Sequence, residues 1–314
     1  MKVLLVDTVH PVLPERLAEL GLEVEEDYNS QPLQILEKLK DYTGLIIRSR
    51  FPVGADVIHR ATNLKFIGRV GAGLENIDLA AAQKAGIQVF KAPEGNRDAV
   101  GEHALAMLLM LFNNLKKADA EVRTGQWLRA DNRGYELRGK TVGILGFGYM
   151  GSAFAEKLQG FNCRILAYDK YKTDYAPAGV EEVSLAQLQD EADVLSLHIP
   201  QSEETLEMVN AGFLAGFAKP IYLINTARGK SVVTSDLVAA LQSGQVLGAC
   251  LDVLEYEKSS FENMFSQSLP AAFDYLIKSE RVILSPHIAG WTHESHERMA
   301  QVIVNKVEAF LNNT

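Results

Sequence analysis

Cysteine is almost absent: two residues, Cys163 and Cys250, in a chain of 314. Both sit in apolar stretches, so two buried free thiols are expected rather than a disulfide framework or a thiolate metal site. Positive charge is short. Lysine and arginine total 31 against 40 acidic residues, a net charge of -9 that disfavours nonspecific attraction to nucleic acid or an anionic membrane. Long hydrophobic runs are missing as well. The longest, residues 104–112, falls well short of a bilayer crossing. The N-terminus, Met1-Lys2-Val3-Leu4-Leu5-Val6-Asp7, meets a carboxylate too early for a signal-peptide apolar region, so a cytoplasmic address is expected. Neither a short-period repeat nor a low-complexity tract is visible.

What is present is the balance of a globular protein: 47% apolar and 23% charged residues. At roughly 150 residues per domain, the length suits about two domains. β-Branched runs at 3–6, 44–47, 64–67 and 87–90 alternate with helix-period segments at 14–20, 32–40, 55–61 and 79–85, which predicts a parallel sheet covered on both faces. Ala92-Pro93-Glu94-Gly95-Asn96 reads as a breaker cluster and a domain boundary, followed by a long apolar helix over 99–117. Strand signals resume at 141–145, 164–167, 194–197, 221–224, 248–253 and 282–284, predicting a second parallel sheet. Ser184-Leu185-Ala186-Gln187 has the form of a capping box, and 292–311 reads as one amphipathic helix.

Gly146-Phe147-Gly148-Tyr149-Met150-Gly151 follows the strand at 141–145 and opens a helix. Glycines there allow a tight turn and close approach to a pyrophosphate, whose charge sits at the helix N-terminus. Asp169 closes the next strand about 20 residues on, where a carboxylate meets the adenosine ribose hydroxyls. That combination predicts a dinucleotide site. The same carboxylate repels a 2′-phosphate, which favours NAD over NADP, although Lys170 and Lys172 soften the preference. Gly71-Ala72-Gly73 lacks the third glycine; its amides could cradle a small anion or form a plain turn.

Of seven histidines, His10 and His59 read as surface residues and His103, beside Glu102, as a hydrogen-bonded structural residue. His198 ends a strand before Pro200. His293 and His296 lack a third ligand for a metal. His287, in Ser285-Pro286-His287-Ile288-Ala289-Gly290, follows the last strand, where parallel sheets bind ligands. Arg228 follows the strand at 221–224 and could hold a carboxylate by two parallel hydrogen bonds. Glu257 lies past the strand that ends near Val253, with Asp252 before it. An arginine, an acid and a histidine at three strand ends suit hydride transfer between a 2-hydroxy and a 2-oxo acid.

At these residues the chain resembles the D-isomer-specific 2-hydroxyacid dehydrogenases. The likeness rests on Arg48-Ser49-Arg50, residues 68–78 (GRVGAGLENID), 96–103 (NRDAVGEH), 136–151 (ELRGKTVGILGFGYMG), His198-Ile199-Pro200, 225–229, 251–257 and 285–290. It implies an α/β protein of two Rossmann-like or flavodoxin-like domains with parallel sheets and the active site in the cleft between them. The substrate domain would comprise 1–92 plus 287–314, and the NAD domain 93–286. It implies that Arg228 binds the substrate carboxylate and carbonyl, that His287 is the acid/base, and that Glu257 keeps the imidazole protonatable. Arg48, Ser49, Arg50, Arg69, Val70, Gly71, Ala72, Gly73 and Trp291 fall to the substrate. His198, Pro200, Thr205, Thr226, Ala227, Asp252 and Gly290 join the glycine turn and Asp169 on NAD, with Asp252 facing the nicotinamide carboxamide. No metal is implied, and the long helix resembles the family's dimer-forming element.

Two departures stand out. Lys258 replaces a common proline and the passage 258–281 is long, while Trp291 stands where a small residue is usual and could cap the substrate pocket. Arg48, Arg50 and Arg69 could pair with a phosphate, which makes 3-phosphoglycerate, and hence serine biosynthesis, the leading expectation; the alternative is that they brace the domain surface or bind a plain carboxylate. A glyoxylate- or hydroxypyruvate-type dehydrogenase and an NAD(H)-sensing corepressor-like protein are the rival readings. No feedback module is expected after residue 314.

Overall fold

A computed structural model describes residues 1–257 and 270–313. Lys258 and the first part of the long passage, 258–269, lie outside the described residues. The chain divides into two compact units, Met1–Arg97 with Trp291–Thr314, and Asp98–Gly290.

In the first unit five strands form a parallel sheet: β1 (Lys2–Leu5), β2 (Glu23–Glu26), β3 (Gly44–Ile47), β4 (Phe66–Arg69) and β5 (Gln88–Lys91), in the order β2-β1-β3-β4-β5. Alternation within β1 shows why both faces are covered. Val3 and Leu5 pack with the C-terminal helix, whereas Leu4 and Val6 pack with Ile35, Leu39 and Val57 on the other side. That C-terminal helix, His293–Asn312, starts on a capping box in which Thr292 and Ser295 exchange side-chain and backbone hydrogen bonds. It buries Met299, Ala300, Ile303, Val304 and Val307 in this unit.

In the second unit the strands are β6 (Thr141–Leu145), β7 (Arg164–Tyr168), β8 (Glu181–Glu182), β9 (Val194–Leu197), β10 (Ile221–Asn225), β11 (Val246–Leu251) and β12 (Val282–Leu284). Their order is β12-β11-β10-β9-β6-β7-β8, and every pairing is parallel. Cys250 is buried between strand and helix, where burial pushes its thiol pKa up, while Cys163 is half-buried; both are free.

The expected breaker cluster is instead the start of a helix, Pro93–Phe112. Proline fits a first turn, because its missing N–H has no intrahelical partner there. Gly95 is needed for contact: a Cβ would sit 2.5 Å from the Met299 amide nitrogen. The boundary between units therefore falls inside this helix, after Arg97 rather than at 92, and the return falls at Trp291 rather than 287. The helix also stops before 117. Asn114, with φ 52°, turns the chain into a separate helix, Leu115–Arg123. Among the described residues no helix is long and apolar enough to cross a membrane.

Candidate active site

In the second sheet β6 and β9 are neighbours, yet the chain leaves them in opposite directions, towards β7 and towards β10. Such a switch point is where open parallel sheets take ligands, beyond the strand C-termini. The glycine turn lies there. Gly146 has φ 91°, and a Cβ on it would lie 2.7 Å from the His198 carbonyl oxygen; a Cβ on Gly151 would lie 2.1 Å from the Gly146 carbonyl oxygen. Around Gly148 a Cβ would meet nothing within 4 Å. Its amide opens the helix Tyr149–Leu158, where N–H groups and the helix dipole favour a phosphate. The Phe147 side chain is buried, so that residue offers only main chain; Tyr149 is exposed and Met150 half-buried.

Asp169 follows β7. Its Oδ2 accepts from Phe147 N at 2.9 Å and its Oδ1 from Tyr171 N at 3.0 Å, so the carboxylate braces the glycine turn. Both nearby lysines are committed. Lys172 Nζ donates to the Phe147 carbonyl at 2.6 Å. Lys170 pairs with Glu204, which also accepts from the Tyr171 hydroxyl, and the hydrogen bond to Glu204 raises the Lys170 pKa.

His198 is buried with Nε2 bonded to Ser196 Oγ at 2.9 Å, and burial pushes its pKa down to about 3, so the ring is neutral. Thr205 Oγ1 donates to the Pro200 carbonyl at 2.7 Å. His198 Nδ1 and Thr226 Oγ1 are buried polar atoms with no hydrogen-bond partner. Orphaned buried groups of this kind are costly unless a ligand or water satisfies them. A glycine cradle, a strand-end carboxylate and these two atoms fit a nicotinamide dinucleotide.

The expected arginine, acid and histidine lie on loops that follow the next strands. At the end of β10, buried Asn225 holds a tight turn: its Nδ2 donates to the Arg228 carbonyl (3.0 Å) and its Oδ1 accepts from Ala227 N (3.1 Å). Gly229 lets this loop close on the one after β11, since a Cβ there would lie 2.0 Å from the Leu254 carbonyl oxygen. Arg228 Nη1 donates to the Ala227 carbonyl at 2.7 Å. On the facing loop Glu257 Oε1 accepts from Leu254 N (2.5 Å), and its Oε2 lies 2.6 Å from His287 Nδ1. A carboxylate only accepts, so Nδ1 carries the proton in this contact. His287 is half-buried and has φ 55°, a left-handed conformation costing on the order of 1–3 kcal/mol for such a residue.

Asp252, 1% exposed, is occupied otherwise than by facing outward to a ligand. Its oxygens accept from Ser285 Oγ (2.6 Å), Ile288 N and Ala289 N (both 2.9 Å). His103 Nε2 contacts Ser285 Oγ at 2.9 Å. Neither Asn225 nor the contact between His103 and Ser285 was evident in the sequence. Asn225 was legible only as the first residue of the 225–229 stretch, with no role assigned to it.

The first unit carries the other expected group. Asp7 follows β1, and its Oδ2 accepts from the amides of Arg48 (2.6 Å), Ser49 (3.1 Å) and Arg50 (3.2 Å) after β3, across that sheet's own switch point. The Arg50 guanidinium donates to the carbonyls of Val6 (2.6 Å), Asp27 (2.6 Å) and Ser30 (2.5 Å). Of the two readings given for these arginines, Arg50 takes the bracing one. Arg48 lies over the Trp291 ring at 4.1 Å, and burial lowers its pKa. His10 is not an idle surface group: its ring contacts His296 edge-on at 5.7 Å. At the second turn Val70 is buried, Gly71 N donates to the Arg69 carbonyl (2.9 Å), and the Arg69 guanidinium lies against Gly71, with Ala72 and Gly73 half-buried beyond it. Gly290 ends the second unit. No cluster able to hold a metal ion occurs among the described residues.

Residues 105–289 match the family model of the D-isomer specific 2-hydroxyacid dehydrogenase NAD binding domain. The chain belongs to this family. It is 33% identical over 309 residues to the D-3-phosphoglycerate dehydrogenase of Archaeoglobus fulgidus, covering 98% of this chain and 56% of that protein. It is 35% identical over 302 residues to the glyoxylate reductase of Pyrococcus furiosus, covering 93% and 86%. A D-lactate dehydrogenase of Aquifex aeolicus, solved with NAD and lactic acid, superposes with a TM-score of 0.84 at 30% identity, covering 100% of this chain and 96% of that one. The chain thus spans about half the length of the curated D-3-phosphoglycerate dehydrogenases it matches.

Proposed function

We propose that the chain is an NAD-dependent dehydrogenase that interconverts a D-2-hydroxy acid and its 2-oxo acid. The observation that carries this reading is the 2.6 Å contact of His287 Nδ1 with Glu257, on a loop that Gly229 brings against the Arg228 loop. When bound, the nicotinamide ring supplies or accepts the hydride. The chain's own groups do the rest. Arg228 orients the carboxylate and polarises the 2-oxo group, as a guanidinium can by parallel hydrogen bonds. His287, its Nδ1–H fixed by Glu257, delivers a proton from Nε2 to the carbonyl oxygen in reduction and takes the hydroxyl proton onto Nε2 in oxidation. In the first unit, where the Gly71 N–H is already given to the Arg69 carbonyl, the Ala72 and Gly73 amides are of the kind that cradle a small anion. NAD rather than NADP is favoured by Asp169, and because Lys170 and Lys172 are each tied elsewhere, neither is placed to recruit a 2′-phosphate.

For the substrate we propose 3-phosphoglycerate, which would put the protein in serine biosynthesis. Arg48, half-buried and stacked on Trp291, supports an anionic far end on the substrate. The likeness to glyoxylate reductases keeps a smaller 2-oxo acid as the second reading. We further propose a homodimer, supported by exposed apolar side chains on successive segments, Met110, Leu115, Val122, Trp127, Leu128 and Tyr135.

NADH consumption against a panel of 2-oxo acids, with 3-phosphohydroxypyruvate and glyoxylate included, tests the reading. Turnover of the phosphorylated acid in preference to the others is expected. Silence across the panel, with NADH still bound, would favour the sensor reading instead.

A further inference from the structure

We infer that His103 and Ser285 are positioning residues for His287, acting through Asp252. This rests on His287 as the proton carrier proposed above. His103 is a half-buried titratable group that the chemistry does not use. His103 lies on the helix Pro93–Phe112 and points its Nε2 at Ser285 Oγ (2.9 Å), while the same nitrogen is 3.6 Å from Asp252 Oδ1. Ser285 has one proton and three candidate acceptors: Asp252 Oδ1 at 2.6 Å, His103 Nε2 at 2.9 Å in its other tautomer, and Met107 Sδ at 3.7 Å. The short bond to a carboxylate takes that proton, because charge-assisted bonds are much the stronger. Ser285 Oγ must then accept from His103, so His103 carries its proton on Nε2. The order of donation is His103 to Ser285 to Asp252.

Asp252 passes this constraint to the backbone. Its carboxylate accepts from Ile288 N and Ala289 N, and its carbonyl accepts from His287 N at 2.8 Å. Three consecutive amides are thus pinned to one residue around the φ 55° of His287. A left-handed histidine persists only where its surroundings over-determine it. Take away the serine hydroxyl or its donor, and one of the bonds orienting the Asp252 carboxylate goes. The segment 285–290 then relaxes, and the imidazole leaves its line to Glu257.

Ser285→Ala, Ser285→Thr, His103→Leu and His103→Gln in the full chain test this. Three readouts are followed: kcat on the best 2-oxo acid, the NADH dissociation constant by fluorescence, and amide hydrogen exchange over 285–290. Ser285→Ala and His103→Leu are expected to lower kcat about 10-fold or more and to speed exchange over 285–290, with NADH affinity within about twofold. Ser285→Thr keeps the hydroxyl and His103→Gln keeps an N–H donor, so both should stay near the parent. The proposal is overturned if Ser285→Ala and His103→Leu leave kcat and exchange within about twofold. It is equally overturned if His103→Gln is as damaged as His103→Leu, since ring bulk and not the donor would then matter. Absence of turnover in the parent would sink the dehydrogenase reading alone, because the exchange comparison still decides whether this pair holds the loop.

Discussion

At the scale of single residues, His287 joins two demands: an unusual backbone and a proton-bearing ring. A substitution can separate them. Asparagine tolerates the left-handed region better than alanine does, so His287→Asn removes the imidazole with little added backbone cost. Both His287→Asn and His287→Ala should lose turnover by about 10²–10⁴-fold, the usual range for a general acid/base. NADH affinity, read by fluorescence titration, should move by less than about twofold; a parallel loss of NADH binding would mean that the ring's role is misassigned. Asp169 calls for the same care. Because both its oxygens accept backbone amides, alanine there would loosen the glycine turn as well as remove charge. Asp169→Asn keeps an acceptor and drops the charge, and the ratio of NADPH to NADH dissociation constants should fall about tenfold, worth about 1.4 kcal/mol. An unchanged ratio would contradict the ribose assignment.

At the scale of elements, the sequence disclosed those built on strong periodicity and hid those built on context. All the strands whose apolar residues line a core were legible, from β1 to β12. β2 was not, because Glu23-Val24-Glu25-Glu26 is an edge strand lying mostly exposed and charged, held by its ladder to β1. β8 is two glutamates. The glycine turn and the pair Glu257 and His287 could be read because parallel strands deliver their C-terminal residues to one edge. The Asp252 network could not, since it joins a mid-helix histidine to a serine 182 positions away. The start of the helix Pro93–Phe112 was misjudged because Pro93 and Gly95 look like breakers, yet proline suits a first turn and Gly95 is where this helix meets the backbone of the C-terminal helix. Gly95→Ala tests this directly. Helix propensity alone would make alanine stabilising by about 1 kcal/mol. A Cβ 2.5 Å from Met299 N and 2.8 Å from the Arg298 carbonyl carbon forces the two helices apart, and overpacking typically costs about 1–3 kcal/mol. Urea unfolding should therefore show a net loss; a gain would mean that the helices have room to give.

At the scale of the whole molecule, the acid limb of stability should be set first by a histidine that the chemistry does not protonate. His198 is buried without a counter-charge, and burial alone brings its pKa down to about 3 from the ordinary 6.5. The folded state therefore binds fewer protons than the unfolded chain between those values, and stability must fall as pH drops through that interval. Above about pH 6.5 the contribution is complete, since the ring is neutral in both states. At pH 5 the linkage relation gives a loss of about 2 kcal/mol from this group. His296, lowered by burial and by Arg48, His10 and His293, acts in the same direction. Carboxylates held low by partners, such as Asp27 beside Lys38, lose their contribution only further down, from the ordinary carboxylate value downward. The interval from pH 6.5 to 5 thus isolates the histidines. Replacing His198 with glutamine keeps a polar side chain for Ser196 but removes the titration. Urea midpoints taken at pH 7.5 and pH 5 should converge in His198→Gln relative to the parent, whatever the substitution does to stability at pH 7.5. Equal pH sensitivity in the two proteins would mean that the imidazole gains a proton acceptor on acidification and is not held neutral by the fold.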